Sequence, residues 1–124
     1  LPRCWVVVCK PEFAISTPEL FACVDSVRLR CRPDTDGLLA ALEAGELGGV
    51  ARRMYNVFED VLPPRQRDRV GELKNALIQA GALGANMSGT GPTAFGLFDS
   101  PEAAEEARAA LAESCRDTFL CHTV

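Results

Sequence analysis

Two apolar runs, Leu83–Met87 and Thr93–Phe98, stand on either side of the link Ser88-Gly89-Thr90-Gly91-Pro92. Short apolar runs joined by a glycine-containing link close into a β-hairpin, and that pairing constrains whatever packs around it. A helix-period stripe precedes the hairpin from about Arg65 to Ala80, with Val70, Leu73, Leu77 and Ile78 on one side. Gly81 then supplies a left-handed stop. Ser100-Pro101-Glu102 follows the hairpin, a hydroxyl, a proline and an acid in the order that begins a helix. That helix should run to about Ser114, with a small-residue face of Ala103, Ala104, Ala107, Ala110 and Leu111 that lets it lie close on a sheet.

The remaining elements complete a recognisable order. Cys4–Lys10 is β-branched and aromatic, ends at Pro11, and reads as a central strand. Thr17-Pro18-Glu19 begins a helix to about Val27, and Asp34–Ala44 reads as a second helix stopped by Gly45. Met54, Val57, Phe58 and Val61 recur at helical spacing, which predicts a third helix from about Val50 to Val61, ended by Pro63-Pro64. Asp117–Val124 closes the chain as a strand. With the helices between Thr17 and Val61 set apart, the order is strand, helix, strand, strand, helix, strand. This is the α+β, ferredoxin-like split βαβ arrangement, a four-stranded antiparallel sheet with two helices on one face. The helices inserted after the first strand are too apolar to be solvated, and are expected on the domain's side or against a missing neighbour.

At 124 residues the chain is the size of a single domain, residues 1–124. Its 13 Lys and Arg against 17 Asp and Glu give a net charge of −4, which argues against nucleic acid as the main partner. No run approaches the roughly 18 apolar residues of a membrane helix, and Leu1–Val8 lacks an export-signal pattern. The six cysteines include no CxxC, and zinc-site spacings are absent, so reduced cysteines in a cytoplasmic protein without a bound metal are expected. Leu1 stands where an initiator methionine would, and the strand pattern starts by Cys4, so a part of a longer protein is expected.

The link itself has two readings. A plain hairpin turn is one. The other follows from two glycines one residue apart beside the Ser88 and Thr90 hydroxyls: glycine takes positive φ freely, and successive amides then face an anion. Ser88, Gly89, Thr90 and Gly91 are accordingly candidate neighbours of a phosphoryl group.

The phrase Gly84-Ala85-Asn86-Met87-Ser88-Gly89-Thr90-Gly91-Pro92-Thr93-Ala94-Phe95 closely resembles the C-terminal motif of the GHMP kinases, which phosphorylate galactose, homoserine, mevalonate and related alcohols. The preceding Gly-Ala-Leu-Gly-Ala phrase is most similar to the branch acting on diphosphocytidyl-methylerythritol in non-mevalonate isoprenoid synthesis. Pro11–Phe21 resembles that branch's strand-to-helix phrase, in which a Thr and an aromatic four residues later line the cytidine pocket; Thr17 and Phe21 occupy those positions. Asn56 and Glu59 resemble an Asn-x-x-Glu phrase of the family's middle helices.

The resemblance implies the C-terminal half of such a kinase, with a cytidine diphosphate-linked alcohol as small-molecule substrate and with ATP and Mg bound mainly by the N-terminal half. The family's ATP phosphate loop, its early Lys-plus-Asn segment and its catalytic Asp have no counterpart in this sequence. No catalytic residue is therefore assigned, and the chain alone is expected to be inactive. Thr17 has a second reading as a helix cap and Phe21 as core. The competing reading of the whole chain is a free-standing ferredoxin-like module for ligand binding or dimerisation, or the same domain from a homoserine or mevalonate type of kinase. Apolar surface on Thr17–Val61, matched to the lost half, is expected to favour homo-oligomer formation.

Overall fold

Strand β1 (Trp5–Lys10) is followed by α1 (Thr35–Ala44), α2 (Leu47–Arg52), α3 (Pro64–Gln79), β2 (Gly84–Met87), β3 (Ala94–Phe98), α4 (Pro101–Ala112) and β4 (Asp117–His122). The computed structural model describes residues 3–11, 35–56, 58, 59, 62–89, 92–115 and 117–123. The helix expected over 17–27 lies outside these residues. The sheet order is β2-β3-β1-β4, with every neighbouring pair antiparallel. Val7 of β1 stands opposite Gly96 on one side and Leu120 on the other. This is the expected ferredoxin-like topology.

Strand alternation divides the sheet into two faces. On the first, Val7, Cys9 and Phe98 pack against Leu73 and Leu77 of α3 and Ala104, Ala107 and Leu111 of α4. On the second, Cys4 and Leu97 pack against Ala41 of α1 and Val50 and Ala51 of α2, with Val6, Leu83 and Phe95 alongside. The inserted helices, expected at the domain's side, therefore cover part of the sheet's second face. The unbroken apolar run of β1 has this cause, because a strand buried on both faces does not alternate. Close approach needs small residues on each side. A Cβ on Gly96 would stand 3.3 Å from Leu77, and one on Gly84 would stand 2.5 Å from the Ala51 carbonyl oxygen.

The region after α1 departs from expectation. The third helix starts earlier, at Leu47, and ends at Arg52 rather than near Val61. The amides of Arg53 and Met54 bond to the carbonyls of Val50 and Ala51, a tightening that closes the helix. The apparent helical spacing of Met54 and Phe58 arose from two different cores. Met54 belongs to the second face, whereas Phe58 joins a separate cluster with Leu62, Val70 and Met87. Pro63 and Pro64, expected to end a helix, instead begin α3, with Pro63 at the N-cap and Pro64 at the first helical position. Ile78 is 47% exposed, although Val70, Leu73 and Leu77 are buried as expected. It lies one residue round from Leu77, off the edge of the sheet-facing stripe. Ala110 is likewise exposed on α4.

The caps behave as their chemistry requires. Gly45 and Gly81 take φ of +71° and +111°, and the Ala103 amide donates to Ser100 Oγ at 3.4 Å. Cys4, Cys9 and Cys115 are buried free thiols, and Cys121 is an exposed one. Burial, then the neighbouring Cys115, pushes the Cys9 thiol up to about 11. Such a thiol is a packing group rather than a nucleophile. Among the described residues, no helix is long and apolar enough to cross a membrane.

Candidate functional site

The β2–β3 link leaves the core abruptly. Met87, 2% exposed, is packed with Leu62, Val70 and Phe58, whereas Ser88 and Gly89 beside it are exposed. The Ser88 amide donates to the Thr93 carbonyl at 2.7 Å, closing the hairpin one residue beyond its last registered pair, Met87–Ala94. Gly89 then turns the chain with φ +55°. A Cβ there would meet nothing within 4 Å, so the glycine serves conformation and not space. An exposed left-handed glycine beside a hydroxyl is the kind of backbone that presents donors to an anion.

A side chain outside the hairpin holds this turn. Asn56, in the irregular stretch after α2, donates from Nδ2 to the carbonyl of Met87 at 2.7 Å and to that of Gly89 at 2.6 Å. Its Oδ1 accepts the Phe58 amide at 3.0 Å. Every polar atom of the carboxamide is thus engaged, and its orientation follows from the partners. Three residues on, Glu59 receives both of its bonds from Lys74 Nζ of α3, each at 2.9 Å. That pair is partly screened from water, with side chains 17% and 28% exposed. The link is therefore tied through Asn56 to the 56–59 segment, and that segment to α3.

Of the sequence-predicted site residues, Ser88 and Gly89 stand together on this turn. Thr90 and Gly91 of the same link, and Thr17 and Phe21 of the expected cytidine pocket, lie outside the described residues. Asn56 was singled out with Glu59 as an Asn-x-x-Glu phrase, but its contact with the link was not foreseen. One signal was present: asparagine competes for local backbone bonds and is a poor helix-interior residue, so its place inside a supposed apolar helix marked a break. Among the described residues, no group of three or more His, Cys, Asp or Glu side chains is placed to hold a metal ion.

Comparison with known proteins agrees with this architecture. The family described as GHMP kinases C terminal matches residues 38–117, from within α1 to the first residue of β4. A 4-diphosphocytidyl-2-C-methyl-D-erythritol kinase of Alkaliphilus metalliredigens is 35% identical over 120 residues, which are 97% of this chain and 41% of that protein. A crystal structure of 4-(cytidine 5'-diphospho)-2C-methyl-D-erythritol kinase superposes with a TM-score of 0.75 at 26% identity, covering 98% of this chain and 43% of that one. Mevalonate kinase of L. major shares the fold alone, with a TM-score of 0.69 at 24% identity over 97% of this chain and 41% of its own. The chain thus spans about two-fifths of the length of the curated relatives it matches. It belongs to the GHMP kinase family and corresponds to that family's C-terminal domain.

Proposed function

We propose that this chain forms the substrate-pocket wall of an ATP-dependent kinase that phosphorylates 4-diphosphocytidyl-2-C-methyl-D-erythritol in non-mevalonate isoprenoid synthesis. The observation that carries the reading is the likeness, over 97% of the chain, to a relative of that name. The exposed, side-chain-clamped link is the physical feature consistent with it. Phosphoryl transfer needs little covalent chemistry from the protein and is mostly positioning and charge stabilisation. A domain that carries no base can therefore contribute by fixing the acceptor and lining the cleft. In this reading Ser88, Gly89, Thr90 and Gly91 face the transferring phosphoryl group. Phe21 stacks on the cytosine ring, a contact of about 1–3 kcal/mol by analogy with base–aromatic stacking, and Thr17 bonds the base or caps its own helix. ATP and Mg are held mainly by the N-terminal half, which also carries the catalytic Asp.

Titrating the chain with cytidine diphosphate, followed by backbone NMR, tests the pocket. Saturable shifts centred on Thr17 and Phe21 are expected. Saturable binding of an amino acid in place of the nucleotide would point to a regulatory module and remove the kinase reading. The chain alone should show no ATP-dependent phosphotransfer onto the diphosphocytidyl alcohol. Turnover by purified 1–124 would place the base within these residues and overturn the division of labour proposed above.

A further inference from the structure

The described residues place one fully engaged polar side chain against the glycine link, and it comes from neither strand of the hairpin. We infer that Asn56 is the positioning residue of the link, fixing the direction in which the Met87 and Gly89 carbonyls point. This rests on the reading of the link as the phosphate-facing wall. The chemistry of the carboxamide carries the inference. Its two Nδ2 hydrogens meet two carbonyls, those of Met87 and Gly89, at 2.7 and 2.6 Å. Its oxygen meets one amide, that of Phe58, at 3.0 Å. No other side chain of that size offers two donors and an acceptor in this fork.

The consequence for the backbone follows from peptide planarity. In a trans peptide the N–H points opposite the C=O, so a carbonyl drawn toward Asn56 turns the amide of the same plane away from it. The Met87–Ser88 plane is held from both sides, its carbonyl by Asn56 and its amide by the Thr93 carbonyl. The Gly89 carbonyl is held by Asn56 as well. Gly89 permits this because its φ of +55° is open to glycine at no steric cost. Three residues beyond Asn56, Glu59 is anchored to Lys74 of α3, which ties the clamp's neighbourhood to the helix rather than to the exposed loop. A preorganised donor acts at once on developing charge, whereas a loose one must first be ordered.

Asn56→Asp tests the inference, because it preserves shape but replaces both donors by acceptors facing two carbonyls. In the chain, amide hydrogen exchange at Ser88 should accelerate about tenfold, while the Val7 amide at the centre of the sheet stays unchanged. In a kinase carrying these residues, kcat should fall about a hundredfold, with KM for the diphosphocytidyl alcohol unchanged. A purely structural role would instead lower all amide protection together and leave kcat per folded molecule intact. Unchanged exchange at Ser88 overturns the clamp whatever the kinetics show. Faster exchange with unchanged kcat overturns the positioning role and removes the link from the reaction. If the unsubstituted kinase rejects the diphosphocytidyl alcohol, the substrate reading fails while the exchange result still decides the clamp. Should Asn56→Asp not fold, scalar couplings across the hydrogen bonds from Asn56 Nδ2 to the Met87 and Gly89 carbonyl carbons decide it in the unsubstituted chain; their absence overturns the inference.

Discussion

A Phe98→Ala chain is expected to lose about 4 kcal/mol of folding stability, measured as a fall in the denaturation midpoint at unchanged slope. Phe98 ends β3 with no exposed surface and is the largest of the fully buried side chains. It stands opposite Trp5 in β1 and lies in the cluster that joins the sheet to α3 and α4. Its neighbours there, Ala104 and Ala107, are small and sit on α4, which is joined to β3 before it and β4 after it, so they cannot swing in to fill the space. The cavity therefore persists, and its cost adds to the lost transfer free energy. Phe119→Ala is the internal control. That ring is 58% exposed on the edge strand β4, and its loss should change stability by no more than about 0.5 kcal/mol. Equal losses at the two positions would mean that the first-face core is not enclosed as described.

The second large effect comes from adding atoms. Gly84→Ala should destabilise the chain by about 3 kcal/mol, the upper end of what overpacking produces. The new methyl would stand 2.5 Å from the Ala51 oxygen, 2.7 Å from its Cβ and 2.8 Å from its carbonyl carbon. Two of these three atoms are backbone, so no rotamer change relieves the contact. Either α2 must back away from the sheet or β2 must. Since α2 leads directly into the stretch that carries Asn56, the shift should reach the link as well. Gly71→Ala makes the opposite case: a Cβ there meets nothing within 4 Å in the interior of α3. Better helix propensity should then raise stability by about 1 kcal/mol. A neutral Gly84→Ala would show that α2 is not seated on β2.

Much of the fold was legible because its signals are local. Apolar runs either side of a glycine link located both hairpin strands, the 3.6-residue stripe located Val70, Leu73 and Leu77, and the Ser-Pro-Glu start located α4. The stretch from Leu47 to Leu62 was misread for a physical reason. Helical periodicity measures spacing and not destination, and Met54 and Phe58 share a spacing while serving opposite sides of the sheet. The double proline was ambiguous in the same way, since one residue pair can close one helix or open the next. Which face the inserted helices would cover depends on contacts distant in sequence, and no local pattern encodes them. At the candidate site, the glycines of the link were visible from composition. The grip of Asn56 on Met87 and Gly89 was not, because it joins residues thirty-one and thirty-three positions apart.

The central position of β1 has a consequence for how the chain acquires its shape. Trp5 takes its two ladder partners from Phe98 and His122, so β1 must wait for strands roughly ninety or more residues later before either of its edges is satisfied. Ordering so distant slows folding and prolongs the exposure of sticky segments. During that interval the apolar stretch Trp5–Cys9 has no ladder partner and is open to chaperone capture.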